Sequence, residues 1–352
     1  MGRMLGIEPR AARAAWTVLL VGLFLAALYY TRAVLLVFVL AVLFAYLISP
    51  VVDLVERSVL RRFSRTWSLA LVYTLLIAAL ATVGTLVGNR AAREASAFAQ
   101  RFPALVAQVE QSLETASGPA WLQPVKQYAL TEVRARAQDF GQAVLPLVQE
   151  ATLRLASLVS SVITIVLIPI LGFFFLKDGP ELRAGIVRAA PEERRPMVEA
   201  ILADIHVTLG QFIRALVILS AATFAFYGIF FLAIGVPYAV LLATVAAALE
   251  FIPVFGPLTA SILIVLVALF TGFGHALLII GFLAGYRLFQ DYILTPHLMS
   301  SGVALHPLLV IFGALAGEEI GGIPGMFLAI PVMATLRIIY VRASRPRAAA
   351  AE

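Results

Sequence analysis

The strongest constraint in this sequence is the recurrence of near-continuous apolar runs: Trp16 to Tyr30, Ala33 to Ile48, Trp67 to Gly88, Leu153 to Leu176, Phe212 to Gly235, His275 to Phe289, and four shorter ones after Tyr238. A water-soluble core does not absorb so many. Soluble domains hold about 45–50% apolar and about 25% charged residues, whereas this chain holds 62% and 13%. Runs approaching 20 apolar residues match the hydrocarbon thickness of a bilayer. Their continuity argues against transmembrane strands, which alternate apolar and polar with period two. The expectation is an all-α, polytopic transmembrane helical bundle of about eight membrane segments.

The net charge of +6 comes from Arg and Lys at the ends of these runs, with no basic stripe of the kind nucleic acid requires, so it reads as topology and nucleic acid is not an expected partner. Arg3, Arg10 and Arg13 before an apolar run have the order of a signal peptide, yet no small-residue cleavage site follows and a second run begins at Ala33; a retained signal-anchor helix is expected. The first two runs are short and predict a tight helical hairpin about Thr31 and Arg32, with Tyr29 and Tyr30 at headgroup level. Arg57, Arg61, Arg62 and Arg65 outweigh Asp53 and Glu56 between Ser49 and Thr66, so the positive-inside rule assigns that loop and the N-terminus to the cytoplasm. Lys177, Arg183, Arg188, Arg194 and Arg195 mark a second cytoplasmic stretch, and Arg342, Arg345 and Arg347 a cytoplasmic C-terminus. A multi-pass protein of the bacterial cytoplasmic membrane follows.

Four parts are expected: N-terminal transmembrane helices over 1–88, an amphipathic helical hairpin outside the lipid over 89–150, a transport core over 151–341 and a cytoplasmic tail over 342–352. In the second part Phe98, Phe102, Leu105, Val109 and Leu113 keep helical spacing, as do Leu122, Val125, Ala129 and Val133 after a Gly118-Pro119 break. That hairpin is a spacer, a lid or an oligomer contact. In the core, Pro169 predicts a kink in the Leu153 to Leu176 span, and Lys177-Asp178-Gly179 reads as the turn by which that helix exits.

The chain beyond Gly235 is different in kind. Tyr238 to Leu249 and Leu258 to Phe270 are too short to span comfortably, and Glu250-Phe251-Ile252-Pro253-Val254-Phe255-Gly256-Pro257 separates them. His306 to Ala316 and Met326 to Ile339 are separated in the same way by Gly317 to Gly325 (GEEIGGIPG). Two broken hairpins (238–271 and 306–339) flanking one full helix are the sequence sign of discontinuous segments in a secondary transporter. Non-helical backbone at membrane depth survives only where it is buried in protein or lines a wet cavity. Charge counting fits both re-entrant and fully spanning hairpins.

These breaks, together with Pro169 and the Phe173 to Gly179 stretch (FFFLKDG), Ile293-Leu294-Thr295-Pro296, Leu305-His306-Pro307-Leu308 and Gly321 to Pro331 (GGIPGMFLAIP), resemble the AI-2E family of bacterial transporters, named for the autoinducer-2 exporter. The resemblance covers about Leu153 to Ile339 in order and spacing, while the first half matches in layout. It departs at Glu318 and Glu319, where the family often has a plain Gly-rich turn. It implies export of a small polar signal such as autoinducer-2, or sodium/proton exchange in some members, and a homo-oligomer, a pentamer being one stoichiometry, with an elevator-like moving part.

Glu250 is the first candidate for binding a solute, proton or sodium ion, because an intramembrane carboxylate is expensive; capping a helix end is the competing role. Pro253, Gly256 and Pro257 remove two backbone donors and allow a tight reversal that leaves helix ends available. Arg287 and Asp291, four apart on one helix, share a face and pair, as a structural ion pair or a gate, with Gln290 on an adjacent face. Glu318 and Glu319 sit in the second break with Gly321 and Gly322; at membrane depth they are costly to keep charged, and in water they are merely solvated.

Other chemistries lack their residues. The chain contains no cysteine, and its four histidines form no HExxH or other ligand-spaced pair, so no metal site is expected. With no P-loop and no GxSxG elbow, neither a cofactor nor an enzymatic activity is expected. A secondary transporter is the leading reading. A membrane scaffold acting through the 89–150 hairpin is the second, and an intramembrane enzyme the third.

Overall fold

The computed structural model describes residues 9–58, 65–115, 127, 131, 158–298 and 305–344, and all regular structure among them is helical. Helix α1 (Pro9–Ser58) is followed by α2 (Arg65–Val83), which runs through a π-helical turn at Gly84–Gly88 into α3 (Asn89–Thr115). Then come α4 (Leu158–Ala189), α5 (Arg195–Ala233), α6 (Ala239–Leu249), α7 (Phe255–Phe270) and α8 (Ala276–Phe289). A second π turn (Gln290–Leu294) joins α8 to the short α9 (Thr295–Leu298), and α10 (Pro307–Ser344) completes the described chain. Among the described residues five stretches are long and apolar enough to cross a bilayer: Ala15–Arg57, Thr66–Gln108, Glu192–Ala233, Ala276–Leu298 and Pro307–Ser344. Helices α6 and α7 are apolar but shorter. The protein is a helical membrane protein.

Two expectations are corrected. The first two apolar runs do not fold back at Thr31 and Arg32; both residues lie inside the continuous α1. The polar groups at that point are spent on the helix itself, since the Thr31 hydroxyl donates to the Ala27 carbonyl at 2.7 Å and the Arg32 guanidinium lies over the Tyr29 ring at 4.4 Å. No Gly or Pro stands between Leu23 and Ser49 to make a reversal. Likewise Lys177-Asp178-Gly179 is not a helix exit, because α4 continues through it and through Pro180 to Ala189. Helix α4 also passes Pro169 without a break, and the Tyr73 hydroxyl of α2 donates to the Pro169 carbonyl at 3.1 Å.

Helices α1, α2 and α4 pack through Ala45, Ile48, Val52, Leu69, Val72 and Leu176. Gly172 permits the close approach of α4 to α1, for a side chain there would meet the Phe44 ring at 2.8 Å and the Ala41 carbonyl at 3.4 Å. Of the stripe expected on α3, Phe98 and Phe102 are buried and Leu105 is half-buried, and Ala91 and Ala95 continue the buried face toward the start of the helix. Phe98 meets Tyr238 at 5.2 Å and Phe102 meets Phe270 at 5.8 Å, so α3 lies across the open end of the α6–α7 hairpin. The second arm of the expected hairpin, beyond Gly118-Pro119, lies outside the described residues.

Helix α5 is the spine. At 39 residues it is about 58 Å long at 1.5 Å per residue. The α6–α7 hairpin begins beside its C-terminal end, where Phe231 and Val236 are buried together, and reaches back to Ser220, whose hydroxyl donates to the Ala247 carbonyl at 2.8 Å. Helix α10 is two arms: Gly321 (φ −146°, ψ 18°) and Gly322 (φ 61°, ψ −146°) leave helical conformation. Gly317 and Gly325 face each other so closely that a Cβ on either would collide with the other's backbone carbonyl. Farther out Gly313 faces Ala329 and Met333, so the arms are antiparallel and packed through small residues. This second hairpin is anchored toward the other end of α5, through Arg342 to Asp204 at 2.7 Å and through Leu328 to Leu209 and Ile213. The two hairpins therefore lie along α5 from opposite ends, and Phe251 of the first meets Phe327 of the second at 5.8 Å.

Candidate functional site

Glu250 is the C-cap of α6, at the tip of the first hairpin. The turn that sets it there depends on residues singled out by their chemistry. A Cβ on Gly256 would collide with the Leu249 carbonyl, so only glycine fits. Val254 is held at φ 65°, ψ −55°, rare for a β-branched residue. Pro253 and Pro257 supply no donors, and the turn meets its own needs: Ile252 N–H donates to Leu249 at 2.9 Å and Gly256 N–H to Ile252 at 3.0 Å. The side chain of Glu250, rather than open backbone, is what the tip offers.

That side chain is enclosed by three polar residues. Thr223 of α5 donates to Glu250 Oε1 at 3.2 Å, and Gln290 Nε2 donates to Oε2 at 2.9 Å. A threonine hydroxyl has one proton, so with it committed to the carboxylate the Tyr286 hydroxyl donates to Thr223 Oγ1 at 3.0 Å. Exposure is 1% at Thr223, 3% at Gln290, 5% at Tyr286 and 9% at Glu250, which places the cluster out of bulk water. Aromatic rings wall it off: Tyr227 and Phe226 lie 5.1 and 5.6 Å from Tyr286. Gln290 opens the π turn that follows α8, and such turns are frequent at functional sites.

Among the described residues Glu250 makes no ion pair. Arg287 is spent elsewhere: it pairs with Asp291 at 2.9 Å, both side chains 46% exposed. The expected i,i+4 pair thus forms, on the outer face of α8, while the neighbouring Gln290 points inward. A carboxylate buried without a counter-charge is costly, and a proton or a small cation removes the cost. The geometry gives an added proton an acceptor. A proton on Oε1 is donated to Thr223, whose own proton turns toward Tyr286, so the chain of hydroxyls reverses as a unit. Glu250, Thr223 and Tyr286 also present hard oxygen atoms to a cation.

The second break contributes differently. Glu318 and Glu319 are exposed and make no hydrogen bond or ion pair among the described residues. Gly321 lies against the Leu36 side chain of α1, and Gly322 takes the left-handed φ of the reversal. Sequence reasoning overlooked Thr223 and Tyr286. The signals present were Ser220, Thr223 and Tyr227 recurring on one face of an apolar helix, and Tyr286 standing one turn before Gln290.

A profile of AI-2E family transporters matches residues 18–345, nearly the whole chain. The chain belongs to the AI-2E transporter family. Among relatives that carry names of transport proteins, YueF of Bacillus subtilis is 26% identical over 306 residues, 85% of this chain and 81% of YueF. MT0215 of Mycobacterium tuberculosis is 30% identical over 246 residues, 68% of this chain and 66% of that protein. YrrI of Bacillus subtilis is 28% identical over 180 residues, and the match spans about half of each chain, 51% of both. Membership makes this AI-2E chain a multi-pass membrane transport protein, whose place is the lipid bilayer.

Proposed function

We propose that this AI-2E protein is a secondary transporter that exports or exchanges a small polar solute, with autoinducer-2 the first solute to test by family resemblance, and that Glu250 is its ion-coupling group. The observation that carries the reading is a buried carboxylate held by a hydroxyl and an amide, with a second hydroxyl behind the first and no ion pair among the described residues, at the tip of a hairpin that meets a second hairpin coming from the opposite end of α5. Discontinuous helices meeting at mid-membrane are where secondary transporters hold substrate and coupling ion. Proton coupling is favoured, because a proton on Glu250 Oε1 finds an acceptor in Thr223 Oγ1, whose own proton can turn to the Tyr286 oxygen; sodium/proton exchange uses the same oxygens. In this reading the Arg57–Arg65 connection and the C-terminus face the cytoplasm, and the protein works as a homo-oligomer.

The test is flux by the purified chain in pyranine-loaded proteoliposomes, under an imposed sodium gradient and, separately, with autoinducer-2 on one side. The reading requires a dye response to one of the two that a proton ionophore abolishes. A silent response to both in protein that is monodisperse before reconstitution sets the coupling role of Glu250 aside and favours the scaffold reading.

A further inference from the structure

A cavity of about 770 Å³ opens between α1, α4 and the start of α5, away from the Glu250 cluster. Ligand sites run to about 300–1,000 Å³. Its walls are graded. At one end are Val42 and Ala45 of α1 with Phe175 and Leu176 of α4; at the other are Arg183 and Arg188. From Phe175 to Arg188 the helix rises about 20 Å at 1.5 Å per residue, somewhat more than the half-thickness of a hydrocarbon core of about 30 Å. The charged end also carries apolar surface, since Leu182 and Ile186, 49% and 53% exposed, line the cavity between and beside the two arginines. A surface that is apolar and cationic together, at the point where α4 passes from its apolar run into Lys177 and beyond, fits neither bulk water nor plain hydrocarbon.

The cations are largely unspent. Among the described residues Arg183 pairs with Glu199 alone, itself a lining residue, at 3.8 Å with side-chain exposures of 45% and 63%, an exposed pair of the kind that contributes little. Arg188 makes no ion pair or hydrogen bond among the described residues. Tyr46 and His206, whose rings meet edge to face at 5.1 Å, add polar atoms to the wall. Basic pockets between membrane helices on the cytoplasmic side are where anionic lipid headgroups bind.

We propose that this cavity binds one anionic phospholipid, its phosphate at Arg183 and Arg188 and an acyl chain along Phe175, Leu176 and Val42. The test is native mass spectrometry of the full chain purified with phosphatidylglycerol, phosphatidylcholine or glycerol 1-phosphate, for the wild type and Arg183→Gln/Arg188→Gln. At about 1 kcal/mol per cation the double variant corresponds to roughly thirtyfold weaker retention of phosphatidylglycerol. Expected is retention of phosphatidylglycerol over phosphatidylcholine in the wild type, loss of that preference in the double variant, and no adduct with glycerol 1-phosphate. Equal retention of both lipids in both proteins overturns the proposal in favour of a plain apolar groove. Binding of glycerol 1-phosphate as strong as that of the lipid overturns it in favour of a small-anion site. Where the double variant is not monodisperse, the single variants report the same property at about fivefold each.

Discussion

Gln290→Leu and Arg287→Gln separate the inward face of α8 from its outward face. The first keeps most of the volume at a buried position but deletes the amide that donates to Glu250 at 2.9 Å. A hydrogen bond to a charged group contributes about 1.5–3 kcal/mol. With tenfold per 1.4 kcal/mol, the ionised form of Glu250 becomes roughly 10- to 150-fold less populated. A cycle that alternates between protonated and unprotonated carboxylate must visit that form, so pyranine-reported flux falls by a comparable factor. The second substitution removes a pair that is 46% exposed on both sides; such i,i+4 pairs contribute about 0.3–0.5 kcal/mol, or roughly a twofold effect. Both variants are compared at equal protein in liposomes, with melting temperature in detergent as a check on folding. Wild-type flux in Gln290→Leu together with collapse in Arg287→Gln refutes the reasoning and moves the site to the outer face of α8.

Gly325→Ala places a methyl against the Gly317 carbonyl and lowers stability by about 1–3 kcal/mol, whereas Gly281→Ala, with open space around it, is neutral or gains up to about 1 kcal/mol; thermal unfolding reads both. The Glu94 carboxylate of α3 accepts from the Leu241 N–H in the first turn of α6 at 2.8 Å, so Glu94→Ala costs about 1 kcal/mol as a lost helix cap and Glu94→Gln, which keeps the acceptor, costs less. Because α1 is one rod without a reversal, single cysteines at Thr17 and Ser58 in this cysteine-free chain react with an impermeant thiol reagent from opposite sides of the membrane. Labelling of both from one side restores the folded-back arrangement.

The parts legible in the sequence were those whose cause is local. Gly317, Gly325 and the Gly321-Gly322 pair announce the second reversal because no other residue allows that close approach or readily combines φ 61° with ψ −146°, and Gly256 with two prolines announces the first. Glu250 was legible for its cost, and the Arg287–Asp291 pair for its spacing. The continuity of α1 was not, since Thr31-Arg32 between two short apolar runs reads equally as a turn or as a polar pair that bonds back onto its own helix. Thr223 was hidden for a related reason. Most hydroxyls in these helices, such as Thr244 and Thr335, bond to the carbonyl four residues back at 2.7 and 2.8 Å, and nothing local distinguishes the one that reaches a carboxylate on another helix. Gln290 lies beside the charged pair, and only the packing of α8 shows that the neutral residue is the one turned inward.

The most direct measurement on the central claim is Glu250→Gln in the reconstituted protein. The substitution keeps shape and most hydrogen bonding but removes the ionisable group, so the account predicts that gradient-driven proton flux disappears while expression, monodispersity and melting temperature stay near those of the wild type. Wild-type flux in Glu250→Gln at equal protein contradicts it, and a loss of folding in parallel with flux assigns the cluster to structure instead.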